Sequence, residues 1–180
     1  MKRWIFIVML TLISAVVYSK DFWEKDTFTV NVVETLKVNK NSKVKEYTMT
    51  YDKGTLKLVI LAPAVNKGEI YTFTMSKKTI YYPSLKQTVT QTLNDDELNI
   101  LSLLNKIIKI KDKKDQILNG DKFKFSNGWL TSVESKGYTA NFSDYLSSGD
   151  YTYPTKISIK DGNSQIIYTF SNFKQGKSWK

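Results

Sequence analysis

Apolar and polar residues alternate along most of this chain. In Phe28-Thr29-Val30-Asn31-Val32 every second residue is apolar, and the phase continues through Leu36 and Val38 with Glu34 as the exception. This is the pattern of a strand buried on one face. Asn39 to Ser42 is a turn, and Val44 to Tyr51 a second strand with Tyr47, Met49 and Tyr51 on one face. Asp52-Lys53-Gly54 supplies the next turn chemistry. Leu56 to Leu61 follows, closed by Ala62-Pro63; then Ile70 to Met75, with Tyr71, Phe73 and Met75 in phase, Ile80 to Tyr82, and Lys86 to Leu93. The first half therefore predicts a meander of short antiparallel strands.

The period changes once. Asn94-Asp95-Asp96-Glu97 offers an N-cap residue with Glu three places on, a helix start. From Leu98 to Ile110 the apolar residues Leu98, Ile100, Leu101, Leu103, Leu104, Ile107, Ile108 and Ile110 cover about half the circumference of a helix. That is wider than a single contact with a sheet requires. Lys109 to Asp115 reads as a charged, solvated exit loop, and docking to an acidic partner or anionic head groups is the alternative.

Strands then resume. Lys122 to Ser126 and Trp129 to Glu134 flank Asn127-Gly128, the strongest hairpin signal in the chain. Tyr138 to Phe142 is a further strand, and Thr155 to Lys160 with Gln165 to Phe173 form a last hairpin about Asp161-Gly162-Asn163. Ten or eleven strands and one inserted helix predict a mainly β fold, a strongly curved antiparallel sheet closed or nearly closed into a barrel.

Composition removes several chemistries. Among 180 residues there is no cysteine and no histidine, so disulfides, ordinary zinc sites and imidazole-activated nucleophiles are excluded. Asp95, Asp96 and Glu97 could suggest a hydrolytic carboxylate pair, but capping explains them more simply. The net charge of +10 is carried almost wholly by lysine, Arg3 being the only arginine. Lysine lacks the bidentate fork used on phosphate and base edges, so no nucleic-acid partner is implied. Lys2 and Arg3, the apolar stretch from Ile5 to Val17 and the short residues near Ser19 read as a secretory signal peptide over residues 1–19. Cleavage after Ser19 would leave residues 20–180 as one soluble, monomeric domain outside the cytoplasm.

Three segments carry a family resemblance: Leu56-Lys57-Leu58-Val59-Ile60-Leu61-Ala62-Pro63, Lys67-Gly68-Glu69-Ile70, and Tyr81-Tyr82-Pro83-Ser84-Leu85-Lys86. Together they resemble the periplasmic lipoprotein carrier and lipoprotein-sorting (LolA-like) superfamily. The resemblance implies an unclosed barrel whose concave apolar face, covered by a helical lid at about 94–110, shelters the acyl chains of a lipoprotein. It implies Val30, Val32, Tyr47, Met49, Leu58, Ile60, Tyr71 and Phe73 as cleft lining and Leu101, Leu104, Ile107 and Ile108 as lid. It also implies an inner-membrane lipoprotein-releasing transporter as donor, an outer-membrane acceptor, and no cofactor or metal. Carriers of this family usually place an arginine before the proline, where it latches the lid; here the position is Ala62.

Without the resemblance, the same strand residues are ordinary core and the helix an ordinary buried helix. Three functions stay open: a lipoprotein carrier, a module that binds a free lipid or another apolar ligand without hand-over, and, ranked last, a secreted hydrolase.

Overall fold

In the computed structural model, residues 20–24, 27–93 and 100–176 are described. The expected signal peptide and the helix start at 94–97 lie outside them. The first half of the fold consists of β1 (Lys20–Asp21), a 3₁₀ turn at Phe22–Glu24, β2 (Thr27–Val38), β3 (Asn41–Asp52), β4 (Thr55–Ala62), a second 3₁₀ turn at Ala64–Asn66, β5 (Ile70–Phe73), β6 (Lys77–Tyr82) and β7 (Gln87–Thr92). After helix α1 (Ile100–Ile107) come β8 (Gln116–Leu118), β9 (Asp121–Ser126), β10 (Trp129–Ser135), β11 (Tyr138–Ser148), β12 (Tyr151–Asp161) and β13 (Ser164–Gln175).

These strands form one 13-stranded sheet in the order β7-β6-β5-β4-β3-β2-β13-β12-β11-β10-β9-β8, with β1 added in parallel to β12. Two meanders meet at the β2–β13 seam, and the outer strands β7 and β8 do not pair with each other. The sheet is therefore open, and α1 lies in the connection between its two free edges. Buried residues from both meanders, Phe73 of β5 and Phe123 of β9 among them, belong to one core cluster. The sheet has to curve around a common interior for that to occur.

Alternation is what builds the interior. Cross-strand register aligns the inward residues in rows: Val32, Tyr47 and Ile60; then Val30, Met49, Leu58 and Tyr71; then Phe28, Tyr51, Leu56 and Phe73. Two-residue turns hold that register. The Asn127-Gly128 and Lys53-Gly54 pairs both have positive φ at each residue, the geometry that matches strand twist in a tight hairpin. The first hairpin is tighter than expected, since Val38 pairs directly with Asn41 and only Asn39 and Lys40 turn. Strand Ile70–Phe73 also ends early. Met75 lies beyond it and is 78% exposed instead of continuing the Tyr71–Phe73 face.

Two strands were not anticipated. β8 is only three residues long and is joined to β9 through Asn119-Gly120, a turn with the same positive-φ chemistry as Asn127-Gly128. β1 has two residues. It leads into Phe22 and Trp23, which are buried edge-on to each other, and Phe22 packs in the same way on Phe28 and Phe173. This aromatic plug sits where β13 has left β12 and pairs with β2 alone.

The exit loop is less solvated than its charge suggested. Lys113 Nζ lies 2.9 Å from Oδ2 of Asp21, whose side chain is fully buried, and 3.6 Å from Glu24 Oε1. Burial pushes the Asp21 carboxyl up to about 6, outweighing the hydrogen bond and charge of Lys113. The native state thus holds this proton more tightly than the unfolded chain does. Stability from Asp21 is complete below about pH 4 and is lost as pH rises to about 6, roughly 3 kcal/mol in all. Melting of the wild type compared with Asp21→Asn from pH 3.5 to 7.5 tests this. The variant should gain on the wild type as pH rises through that window, whereas a constant difference would contradict the assignment.

Candidate functional site

Among the described residues, the concave face holds a cavity of about 150 Å³, lined by Tyr47, Leu56, Leu58, Ile60, Tyr71 and Phe73 from β3, β4 and β5, by Ile166 and Tyr168 from β13, and by Ile100 of α1. Glu34, Lys45 and Lys78 complete its wall. Five of the eight expected cleft residues, Tyr47, Leu58, Ile60, Tyr71 and Phe73, therefore meet at one site. Val30 and Met49 sit instead beside Leu104, around a gap of about 10 Å³, too small for more than one water. Val32 is buried in the row with Tyr47 and Ile60 without reaching either space.

α1 covers this face with Ile100, Leu101, Leu103, Leu104 and Ile107, all buried. Three of the four expected lid residues, Leu101, Leu104 and Ile107, are among them. Ile108 is a correction: it follows the helix and is 41% exposed. The stripe Ile100, Leu103, Leu104 and Ile107 has the i, i+3, i+4, i+7 spacing that one face of a helix presents. Ile108 continues the Leu101–Leu104 line, which has turned toward solvent by that point.

Polar contacts fix the helix at both margins of the opening. Lys106 Nζ donates to Asp121 Oδ1 at 3.0 Å and to Ser135 Oγ, and lies over the Tyr138 ring at 5.1 Å. Burial by itself lowers the Lys106 pKa, but Asp121 and Tyr138 more than offset that and raise it. On the other margin Asn105 Nδ2 donates to Met75 Sδ at 3.2 Å, in the loop between β5 and β6. Lys106 thus ties α1 to β9 and β10.

The phenols within the cavity stay neutral. Burial raises Tyr47 well above its usual value, and Tyr168 and Tyr71 are raised for the same primary reason. Tyr47 donates to Glu34 Oε2 at 2.9 Å and Tyr71 to Glu69 Oε2 at 2.7 Å. The site is apolar in its walls and carries hydroxyl, carboxylate and ammonium groups at its margin.

Sequence reasoning missed Leu56, Ile166, Tyr168, Glu34, Lys45 and Lys78 as lining. The signals were present for some of them. Glu34 interrupts an otherwise apolar phase, and Lys45 lies two residues before Tyr47 on the same strand face.

An open antiparallel barrel with an apolar concavity and a helix across it is a known type of structure. No family model and no curated protein matches the chain. Among solved structures, a LolA superfamily protein from Nitrosomonas europaea is similar over 90% of both chains at 14% identity, with a TM-score of 0.59. A domain named as an outer membrane lipoprotein-sorting protein, from Vibrio parahaemolyticus, is similar over 89% of both chains at 13% identity, with a TM-score of 0.59. A DUF1329 family protein from Desulfovibrio piger covers 85% of this chain and 88% of its own at 10% identity, also with a TM-score of 0.59. The likeness read from the sequence is thus present in the structure, and at these identities it defines the fold.

Replacing Lys106 by Met keeps the aliphatic stem but removes the charge. We expect a stability loss of about 1 kcal/mol and a larger loss of hydrogen-exchange protection in 100–107 than in β2 to β4. A uniform loss across the sheet would show that Lys106 supports the whole fold and is no latch.

Proposed function

We propose that this protein shelters the acyl chain of a lipid or lipoprotein in its concave face, beneath α1, and escorts it through water outside the cytoplasm. The observation that carries this reading is the cavity itself, where Tyr47, Leu58, Ile60, Tyr71 and Phe73 leave about 150 Å³ unfilled directly under Ile100. Well-packed interiors leave few voids of that size, and an apolar cavity of comparable volume takes up a ring the size of benzene. The fold shared with a lipoprotein-sorting domain supports the same reading. The basic and apolar residues at 1–19 support export.

The energetics suit α1 to the role of a lid. As it stands the cavity holds only a short length of hydrocarbon. An acyl chain of about fifteen methylenes gains about 12 kcal/mol on leaving water, and it needs the space that α1 fills. Burying the five aliphatic side chains of α1 is worth about 10 kcal/mol at about 2 kcal/mol each. Loading therefore exchanges one apolar cover for another at little net cost, and unloading is equally accessible. A carrier requires that balance. Hand-over from an inner-membrane lipoprotein-releasing transporter to an outer-membrane acceptor is the fuller form of this function, and binding of a lipid without hand-over is its simpler form. Mass spectrometry of material copurified from the native host separates the two, as a lipid-modified polypeptide or as free lipid.

Leu104→Asp and Leu58→Asp test the lid directly. An aspartate at 104 can escape into water if α1 swings out, so that variant should stay folded, melt modestly lower and lose lipid retention. An aspartate at 58 has no such escape from the sheet, and several kcal/mol of burial cost should unfold the protein. Equal collapse of both variants would show α1 to be fixed core.

A further inference from the structure

The inward rows of the sheet do not stay apolar to their ends. Past Val32 on β2 and Tyr47 on β3, the next positions in phase are Glu34 and Lys45, which are registered directly with each other. Opposite charges so placed have Cβ atoms about 5 Å apart and ordinarily close onto each other. Here each is drawn to a different tyrosine. Glu34 Oε2 accepts the Tyr47 hydroxyl at 2.9 Å, and Lys45 Nζ lies 5.9 Å from the centre of the Tyr71 ring. Lys78 is placed in the same way, 5.9 Å from the centre of the Phe73 ring. Tyr168, registered with Glu34 on its other side, completes this part of the wall.

Glu34 and Lys45 are both half-buried and line the same cavity. Glu34 accepts the hydroxyl of buried Tyr47, and Lys45 lies near the Tyr71 ring, but neutral side chains could serve those contacts without the cost of partly desolvating a charge. It is the pair of opposite charges at one cavity margin that suits a ligand.

We propose that this margin of the cavity is a head-group site for a zwitterionic amphiphile, with Lys45 and Lys78 facing its anionic group, Glu34 facing its ammonium, and its tail running along Tyr47, Leu58 and Ile60. The inference rests on the cleft reading above and adds the class of ligand. A purely anionic head would meet the Glu34 carboxylate, and a purely cationic head would meet two lysines. A neutral head would leave the Glu34 carboxylate and the Lys45 ammonium without compensation as it displaced their water. Tyr47 and Tyr71, already bonded to Glu34 and Glu69, hold the carboxylate and the ammonium apart, so the two charges are separated before the ligand arrives.

The test is binding to the purified protein, by calorimetry below micellar concentrations, of four amphiphiles with one and the same acyl chain: lysophosphatidylethanolamine, lysophosphatidylglycerol, monoacylglycerol and an alkylammonium. The zwitterionic lipid should bind tightest, about tenfold more tightly than monoacylglycerol. Glu34→Gln still accepts the Tyr47 hydroxyl and should level the ethanolamine and glycerol phospholipids. Lys45→Met should bring both down to monoacylglycerol, with melting temperature unchanged in either variant. Equal affinity for the zwitterionic and neutral lipids, or a preference that survives both substitutions, overturns the head-group site alone. Uptake of none of the four overturns the cleft reading and the head-group site with it.

Discussion

An open sheet with an apolar inner face must have that face covered, and in this protein the cover is a single helix. β7 and β8 end the sheet without pairing, so the interior lacks the closure that lets a small barrel fill itself with its own side chains. Five buried aliphatic residues of α1 supply what the strands do not. The remaining features follow from this arrangement. The connection between the two free edges has to carry the helix, and the margins have to hold it through Lys106 and Asn105. The cavity survives where the helix does not reach the sheet.

On the proposed function, the same arrangement lets a stable domain exchange its cover. The β2–β13 seam is held by strand pairing in which α1 takes no part, while the aromatic plug of Phe22, Phe28 and Phe173 borders the same small gap as Leu104 of α1. The contacts of α1 are hydrophobic burial, which any hydrocarbon can replace, and a few polar bonds worth about 1 kcal/mol each. A cover of that kind can be exchanged without unfolding what lies beneath it. Lys106 holds the helix to the sheet through Asp121 and Ser135.

Much of the sheet was legible because alternation reports directly which face is buried. The eleven longer strands were anticipated from that period and their turns, and the register brings Tyr47, Leu58, Ile60, Tyr71 and Phe73 to one cavity. Where alternation failed, a local device was responsible. β13 carries a register shift between Ser171 and Lys174, with Asn172 at positive φ, so Phe170 and Phe173 are both buried at a spacing of three. β10 shows the same shift between Leu130 and Ser132, and buries Leu130 and Val133. β1 and β8 are too short to show a period, although Asn119-Gly120 marked the turn after β8. The buried Asp21 could not be found from pattern, since its partner Lys113 lies far along the chain in a loop whose composition reads as solvated. The polar margin of the cavity was written in the sequence as Glu34 breaking its strand's phase, but only the fold shows that the break faces inward beside Lys45.

The central claim is that acyl chain and α1 compete for one surface. The chain has no cysteine, so spin labels can be placed uniquely through Lys109→Cys, just beyond the helix, and Glu46→Cys on the exposed side of β3. The distance between them, measured by pulsed electron paramagnetic resonance with and without a bound single-chain lipid, reads the position of the helix directly. Competition predicts that lipid shifts the distribution by several ångströms, while a second pair placed on β2 and β3 alone stays fixed. An unchanged distance at saturating lipid would contradict the account, since the chain would then be bound without displacing its cover.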